Sequence, residues 1–253
     1  SPGFPAGVWG GGRPGPPGVE PGAPTRARVG DEPLLLAAAA PTVVGRDRAA
    51  GARLLLEAGV DLIIMDDGFQ NPTLAKDLSL VCVDAGVGIG NGLTLPAGPL
   101  RAPLRMQLRR TDAIVLIGEG GGAEPLVRAA ARAGRPVIRA AFRPARIRDF
   151  RKGPILAYAG IGRPRKFFDS LAAIEAPVAR TVSFPDHHPF TPAEAARLLA
   201  EAKAGGLRLV TTEKDHARLS PDWRARIAFL PVAARFDDPA ALRALVAPYL
   251  ASA

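Results

Sequence analysis

Two adjacent carboxylates, Asp66 and Asp67, directly follow the apolar run Leu62–Met65. Such a run is typical of a buried strand. A carboxylate at its end is the arrangement of a Walker B strand, which holds Mg²⁺ directly or through water. The same pattern also suits a plain turn, in which an aspartate caps the bend before Gly68. The pair therefore indicates either a magnesium site or a turn.

A Walker B strand works together with a phosphate-binding loop, and the chain contains no standard version of that loop. The P-loop sequence is G-x-x-x-x-G-K-[ST]. None of the lysines is followed by serine or threonine, and they are Lys76, Lys152, Lys166, Lys203 and Lys214. The glycine-rich segment Gly86–Gly92 follows a predicted strand, but no clear helix opens after it. We therefore do not assign a cofactor to that segment.

Two adjacent histidines, His187 and His188, follow Asp186. Neighbouring residues on a regular helix cannot both face one metal ion, and no cysteine or further histidine is suitably spaced to complete a site. Metal binding is therefore disfavoured here. One interpretation is a single histidine that orients or supports a carboxylate base. The other is a capped loop before a helix that begins after Thr191.

Three further polar groups each allow two interpretations. Asp31 precedes a predicted helix, and local spacing favours a helix N-cap there over a catalytic carboxylate. Residues 211–215, Thr-Thr-Glu-Lys-Asp, follow a predicted strand and open a helix, which suits a capping turn and an anion site equally. The third group surrounds a short helix and forms either a solvated face or a patch for anionic lipid; it comprises Arg101, Arg105, Arg109 and Arg110.

The composition excludes several classes of protein. The 253 residues are 47% apolar and 23% charged, which allows a sizeable core and excludes a disordered polyelectrolyte. The one cysteine, Cys82, indicates a reducing compartment. The formal charge of +9 indicates an anionic partner or codon bias, and the scattered arginines argue against a nucleic-acid surface. No apolar run approaches the roughly 18–20 residues of a membrane span, and no signal peptide is predicted.

Helices and short apolar strands alternate from Asp31 onward, which favours an α/β fold with a parallel sheet covered on both faces. In such sheets ligands bind beyond the carboxyl ends of the strands. Predicted strands are Leu62–Met65, Leu78–Val83, Ala113–Ile117, Val137–Ala141, Ile155–Tyr158, Leu207–Val210 and Ile227–Val232. Predicted helices are Glu32–Ala40, Asp47–Ala58, Leu104–Arg110, Glu124–Ala133, Lys166–Ile174, Thr191–Ala204 and Asp238–Leu250.

Three segments are predicted along the chain. Residues 1–30 contain nine glycines and seven prolines without a helical or strand period, so we expect an irregular segment there. Residues 31–150 are expected to form the core of a nucleotide-binding domain. Residues 151–253 are expected to form a smaller α/β domain, with the boundary around Pro144–Gly153.

Six motifs, each weak alone, occur in an order that resembles one family, the tetraacyldisaccharide 4′-kinases of lipid A biosynthesis. They span about residues 28–250. They are Gly30-Asp31-Glu32-Pro33, Met65-Asp66-Asp67-Gly68-Phe69-Gln70-Asn71, Gly90-Asn91-Gly92 with Leu95–Arg101, Ala159–Pro164, Phe184–His188 and Thr211–Asp215.

The resemblance implies a P-loop-kinase-like parallel sheet and a kinase activity. The enzyme would transfer the γ-phosphate of ATP, with Mg²⁺, to the 4′-hydroxyl of a tetraacylated glucosamine disaccharide 1-phosphate, giving lipid IV-A. The implied partners are that acylated lipid and the cytoplasmic face of the bacterial inner membrane, to which the protein would bind peripherally. No nucleic-acid partner is implied.

The resemblance also implies roles for particular residues. Asp31 takes the role of the base on the sugar hydroxyl, and His187 rather than His188 supports it. The implied nucleotide contacts are Asp66, Asp67 and Gln70, of which Asp66 and Asp67 hold the metal. The implied substrate contacts are Asn91, Arg101 and Arg163.

The chain also departs from the family pattern. In the family a longer segment, with a membrane-associating helix and the P-loop, precedes the motif that begins here at Gly30. The P-loop amides and lysine supply much of the transition-state electrostatics, so we expect little or no kinase activity from this chain by itself. Ala102 stands where the family often has glutamate. The alternative function is a non-catalytic, degenerate kinase fold that binds acidic lipid or nucleotide.

Overall fold

The computed structural model of the chain describes residues 6–10, 36–37, 40–45 and 47–250. The described residues fall into two compact units. The first contains residues 47–142 and 234–250, and the second contains residues 143–233 together with 40–45. Along the chain, the two units divide between residues 142 and 143. The closing helix, however, groups with the first unit rather than with the second domain, because grouping follows packing in space and not order along the chain.

The elements between residues 6 and 144 are, in chain order, β1 (Ala6–Gly10), β2 (Thr42–Val44), α1 (Arg48–Glu57), β3 (Leu62–Met65), β4 (Leu80–Asp84), α2 (Leu104–Arg109), β5 (Ala113–Ile117), α3 (Glu124–Arg132) and β6 (Val137–Pro144). The remaining elements are α4 (Ile147–Phe150), β7 (Ile155–Ala159), α5 (Pro164–Ala173), β8 (Val178–Ser183), α6 (Pro192–Ala204), β9 (Arg208–Thr212), α7 (Glu213–Ala217), α8 (Pro221–Arg224), β10 (Ala228–Leu230), β11 (Val232–Phe236) and α9 (Pro239–Leu250).

Each unit is built on a four-stranded sheet. The strand order is β11-β6-β5-β4 in the first unit and β10-β9-β7-β8 in the second. The pairs β4–β5 and β5–β6 are parallel, and so are β7–β8, β7–β9 and β9–β10. The predicted α/β fold is therefore confirmed. The second sheet is parallel as predicted, but the first is mixed, because hydrogen bonds from the Ala145 N–H to the Pro231 carbonyl and from the Asp237 N–H to the Arg139 carbonyl place β11 antiparallel to β6.

Strand β7 lies inside its sheet and is buried on both faces. Ile155 and Ala157 pack in one cluster with Phe167 and Leu171 of α5. The intervening Leu156 packs in a second cluster, together with the apolar face of α6. Burial of a leucine side chain of this kind contributes roughly 1.5–3 kcal/mol. Because both faces are covered, the strand is a continuous apolar run with no alternation, as predicted.

Helix α6 begins where the sequence predicts it, because three local signals agree. Thr191 Oγ1 accepts a hydrogen bond from the Glu194 backbone N–H at 3.2 Å. Glu194 Oε2 accepts one in return from the Thr191 backbone N–H at 2.9 Å. This pair is a capping box, and Pro192 occupies the first helical position, where its missing N–H costs nothing.

The structure differs from the sequence prediction at three places. Residues 6–10 form β1, in the segment predicted to be irregular, and β1 is stabilised by parallel pairing of Val8–Gly10 with β2. Strand β8 was not predicted, because it lies at a sheet edge and most of its residues are exposed. The strand predicted at Ile227–Val232 is interrupted at Pro231, which has no N–H for a ladder.

Only part of the helix predicted before β2 lies among the described residues. Of the predicted helix Glu32–Ala40, residues 36 and 37 are helical, and residues 32–35 and 38–39 lie outside the described residues. Within the part of the chain that the structure describes, no helix combines the length and the hydropathy needed to cross a bilayer.

Candidate active site

Asp66 and Asp67 form a turn directly beyond the last residue of β3. Asp67 is exposed and has a positive φ of 49°, a left-handed conformation that aspartate tolerates better than most residues. Arg48 Nη1 of α1 donates a hydrogen bond to the backbone carbonyl of Asp66 at 3.2 Å. A Cβ at Gly68 would lie 2.6 Å from the Cβ of Met65, so the bend requires glycine there. The turn therefore presents two carboxylates beyond a strand end.

The residues after this turn are held by Asn71. Its Oδ1 accepts hydrogen bonds from the backbone N–H and the hydroxyl of Thr73, at 2.9 and 2.5 Å. Lys76 Nζ donates to the Asn71 backbone carbonyl at 2.5 Å. Gln70 is exposed beside the carboxylate turn. The nucleotide contact implied for Gln70 is compatible with this exposure and stays a prediction.

The glycine-rich segment after β4 is a turn built on Asp84. Asp84 Oδ1 accepts hydrogen bonds from the backbone N–H groups of Gly86 and Val87, at 2.8 and 3.2 Å. These two amides are therefore directed at a carboxylate of the chain itself. A phosphate cradle needs amides directed at the ligand, whereas these two are directed at Asp84.

Asn91 holds the loop that follows. Its Nδ2 donates to the carbonyl of Ala97 at 2.8 Å, and its Oδ1 accepts from the Leu93 N–H at 3.1 Å. A Cβ at Gly98 would lie 2.2 Å from Asn91 Oδ1, so the loop closes tightly around this amide. Arg101, at the end of the loop, is exposed. Substrate contacts by Asn91 and Arg101 stay predictions, and Asn91 has a structural role as well.

The second cluster of polar residues lies where β7 and β9 end, and these strands are neighbours in the sheet. Asp215 follows β9 in α7 and is 0% exposed. Its Oδ2 accepts hydrogen bonds from the Gly160 N–H at 2.9 Å and from the Thr212 hydroxyl at 2.8 Å. Its Oδ1 accepts from Arg218 Nη1 at 3.0 Å. The buried carboxylate is therefore fully bonded to groups of the chain.

Arg218 connects this buried carboxylate to His187. Its Nη1 also donates to the Gly160 carbonyl at 2.9 Å, and its Nη2 lies 3.0 Å from His187 Nδ1. The His187 backbone N–H donates to the same Gly160 carbonyl at 3.1 Å. Its ring Nε2 lies 3.8 Å from Asp186 Oδ2, and the side chain is 58% exposed. The predicted supporting histidine is thus anchored at one side of its ring and exposed to solvent.

His188 has a different environment from its neighbour. Its Nε2 lies 3.0 Å from Glu194 Oε1, and its ring stacks on Phe184 with centroids 4.8 Å apart. Hydrogen bonds from the Thr191 backbone and hydroxyl hold the pKa of Glu194 below its ordinary value. His188 therefore belongs to the capped start of α6. The interpretation as a capped loop before a helix therefore applies to His188, and the supporting role of His187 stays a prediction.

A buried tyrosine supports the same region. Tyr158 contacts the rings of Phe184 and Phe190 edge to face, at 6.2 and 5.2 Å between centroids. Burial, above all other causes, raises the pKa of its phenol. The tyrosine therefore stays protonated over the physiological range and acts as a packing residue.

The two remaining predicted residues are less informative. Arg163 is exposed and directly precedes α5. Asp31 lies outside the described residues, so its role as a base stays a prediction. The sequence analysis did not single out Arg218. A weak signal was present, because Arg218 lies three residues after Asp215 at the end of a short helix.

The chain matches a model of a known protein family over most of its length. The family model described as LpxK, tetraacyldisaccharide-1-P 4′-kinase, matches residues 9–251. The match begins earlier than the resemblance seen at about residue 28, and so it includes most of the segment that the sequence analysis set apart.

Named relatives and one solved structure agree with the family model. A tetraacyldisaccharide 4′-kinase of Methylobacterium nodulans is 53% identical over 243 residues, 94% of this chain and 72% of the relative. That of Methylorubrum populi is 49% identical over 250 residues, 99% of this chain and 76% of the relative. The crystal structure of LpxK from Aquifex aeolicus in complex with ATP superposes with a TM-score of 0.69 at 22% identity, covering 97% of this chain and 88% of that one. This last likeness shows the fold.

Proposed function

We propose that this chain, which belongs to the tetraacyldisaccharide 4′-kinase family, transfers the γ-phosphate of ATP to the 4′-hydroxyl of a tetraacylated glucosamine disaccharide 1-phosphate. The product is a lipid A precursor. The observation that carries this proposal is the family match over residues 9–251, with relatives of that name about half identical to the chain. The fold likeness to an enzyme crystallised with ATP supports ATP as the donor.

The Asp66–Asp67 turn is our candidate for the metal and nucleotide end of the site. Mg²⁺ is commonly held by one or two carboxylates, with water and substrate phosphates as its other ligands. Two carboxylates on a turn, one of them exposed, fit that donor set. The bound ion would neutralise charge on the transferred phosphate. Gln70, exposed beside this turn, would contact the nucleotide.

The acceptor end needs a group that takes the proton of the sugar hydroxyl. Asp31 is our candidate for this base. His187 would support it by donating a hydrogen bond from its ring to the carboxylate, which holds the charged form of the base in place. Asn91, Arg101 and Arg163 are candidates for binding the sugar and its phosphate. All three are exposed in the structure, as substrate-binding residues must be.

Exposed apolar and basic side chains of α2 and of the loop before it support peripheral binding to the cytoplasmic face of the inner membrane. Leu93, Leu95 and Met106 are 53%, 64% and 55% exposed. Arg105 and Arg109 flank Met106 on the exposed side of α2. Apolar side chains among arginines suit an anionic lipid surface.

Sedimentation with vesicles tests this surface. We expect the protein to sediment with vesicles of phosphatidylglycerol and not with vesicles of phosphatidylcholine alone. The variant Met106→Glu should bind the anionic vesicles more weakly. Equal binding by this variant and the unaltered protein would contradict a role for α2.

A transfer assay tests the kinase reaction. The longest reading frame that contains these 253 residues, and the 253 residues alone, are each incubated with Mg²⁺, γ-labelled ATP and the tetraacyldisaccharide 1-phosphate. We expect the longest reading frame to give labelled lipid with the new phosphate at the 4′ position, and the 253 residues alone to give little or none. Asp31→Asn should lower the rate at least about 100-fold, because a positioned base contributes 10²–10⁴-fold.

A matched control accompanies this variant. Asp47 caps α1 by accepting a hydrogen bond from the Ala50 N–H, and asparagine caps helices equally well. Asp47→Asn should therefore keep the full rate. The alternative function is a non-catalytic member of the family that binds nucleotide or acidic lipid. Folded protein that binds ATP but labels no lipid in either form would overturn the kinase proposal and favour that alternative.

A further inference from the structure

A buried ion pair reaches from the end of β9 to the exposed His187. The side chains of Asp215 and Arg218 are both 0% exposed. Taking two charges out of water is costly, and apolar side chains often stabilise such a position as well or better. A pair of this kind is therefore weak evidence for a role in stability alone. The contacts of its outer end point to another role.

The guanidinium of Arg218 is divided between two tasks. Its Nη1 is bonded to Asp215 Oδ1 at 3.0 Å and to the Gly160 carbonyl at 2.9 Å. Its Nη2 lies 3.0 Å from His187 Nδ1. A guanidinium can only donate hydrogen bonds, so Nδ1 is the acceptor in this contact. The neutral His187 ring must then carry its proton on Nε2.

The inner end of the pair is itself held rigidly. Asp215 Oδ2 accepts from the Gly160 N–H and from the Thr212 hydroxyl. Gly160 also receives the His187 backbone N–H at its carbonyl. One residue at the end of β7 therefore fixes the carboxylate, the guanidinium and the histidine backbone at once. The planar fork of arginine transmits that geometry to the imidazole.

We propose that Arg218, held by Asp215, is a positioning residue that fixes the orientation and the tautomer of His187, so that Nε2–H is the ring's hydrogen-bond donor. The inference rests on the proposed use of His187 to support the base of the kinase reaction. Arg218 acts through His187, and no contact of Arg218 with substrate is involved. A neighbouring group that orients an imidazole and sets its tautomer is a recurrent way to prepare histidine for catalysis.

The tautomer can be measured directly in the full chain, without turnover. Nitrogen-15 NMR of the imidazole distinguishes protonated from unprotonated ring nitrogens. In the unaltered protein near neutral pH we expect His187 to show a protonated Nε2 and an unprotonated Nδ1. Arg218→Lys keeps a positive charge beside Asp215 but has no second arm for the ring. This variant should give His187 a mixture of both tautomers.

A matched control separates positioning from loss of stability. Thr211 is buried in the same sheet, and its hydroxyl donates to the Tyr158 carbonyl at 2.9 Å, away from the Asp215 pair. Thr211→Val should weaken the fold without changing the His187 tautomer. Arg218→Gln is a second test of the contact, for use if the lysine variant does not fold.

The kinase rate completes the test. With the longest reading frame that contains the chain, Arg218→Lys should lower kcat by about 10- to 100-fold, since small misplacements of a reacting group cost this much. The KM for ATP should change less than about twofold, because the variant leaves the nucleotide end untouched.

The outcomes separate the two proposals. An unchanged His187 tautomer in folded Arg218→Lys would overturn the positioning role. A mixed tautomer with an unchanged kcat would overturn its relevance to the reaction. A mixed tautomer together with an inactive unaltered protein would support the positioning of His187 and overturn the kinase function.

Discussion

Two strand ends carry carboxylates in this protein, and they differ in how those carboxylates are satisfied. Beyond β3, Asp67 lies exposed on a turn with a positive φ. Beyond β9, Asp215 is 0% exposed and bonded to groups of the chain at both oxygens. An exposed carboxylate on a turn is available to a ligand, whereas a buried, fully bonded one can act only through its partners. The same residue type is therefore held in opposite environments at the two ends.

The largest expected effect is on stability at the buried end. Asp215→Ala leaves the Arg218 guanidinium buried without its counter-ion, which costs about 3–5 kcal/mol. Asp67→Asn at the exposed end should change the free energy of unfolding by less than about 0.5 kcal/mol, since asparagine also tolerates a left-handed turn. Urea unfolding of both variants gives the two values. Equal losses of stability would remove the contrast between the ends.

The next effect concerns the backbone at the exposed end. Gly68→Ala places a Cβ 2.6 Å from the Cβ of Met65, and overpacking of this kind costs about 1–3 kcal/mol. Gly121→Ala is a suitable control, because nothing lies within 4 Å of its added Cβ. If thermal unfolding shows Gly68→Ala to be as stable as this control, the Asp66–Asp67 turn does not depend on that close contact.

A smaller effect is a pH dependence next to the buried end. Burial, above all, lowers the pKa of His216, which packs against Phe229 at 4.5 Å between ring centroids. A lowered pKa in the folded state means that the unfolded chain binds the proton more readily. Stability is therefore complete above the ordinary histidine pKa of about 6.5 and falls as the pH drops through and below it. His216→Gln should flatten unfolding free energies measured over that range. An unchanged slope would contradict a burial effect at His216.

The smallest effect is at the capping box, away from both strand ends. Hydrogen bonds from Thr191 lower the pKa of Glu194, so its contribution to stability is complete above the ordinary glutamate pKa of about 4.3 and is lost as the pH falls below it. Glu194→Gln should reduce the acid sensitivity of unfolding. Thr211→Val, which changes no titrating group, should keep the slope of the unaltered protein. If it flattens the slope as much as Glu194→Gln does, the effect is not due to the cap.

Local signals predicted much of the fold. Strands β3 and β5 have the predicted bounds, because each is a short apolar run with clear ends. Helix α6 begins at its predicted cap, because the capping box lies within four consecutive residues. Edge strand β8 and strand β1, which lies within residues 1–30, were missed. Pairing partners rather than local pattern stabilise both strands.

The candidate site was predicted less completely, for the same physical reason. The position of Asp66 and Asp67 at a strand end was predicted, because strand and carboxylates are adjacent in the sequence. Arg218 was missed because its contact with His187 joins residues 31 apart, and the contact of Asp215 with Gly160 joins residues 55 apart. Contacts across a parallel sheet leave no periodic trace in the sequence.

The most direct test of the contrast between the two ends is the initial rate of labelled phosphate transfer by Asp67→Asn. The rate is measured beside that of the unaltered protein, with both expressed from the longest reading frame and both shown to be folded. If the exposed turn holds Mg²⁺ and ATP, the rate should fall at least about 100-fold while the free energy of unfolding stays the same. An unchanged rate, or a loss of rate explained by unfolding, would contradict a catalytic role for this turn.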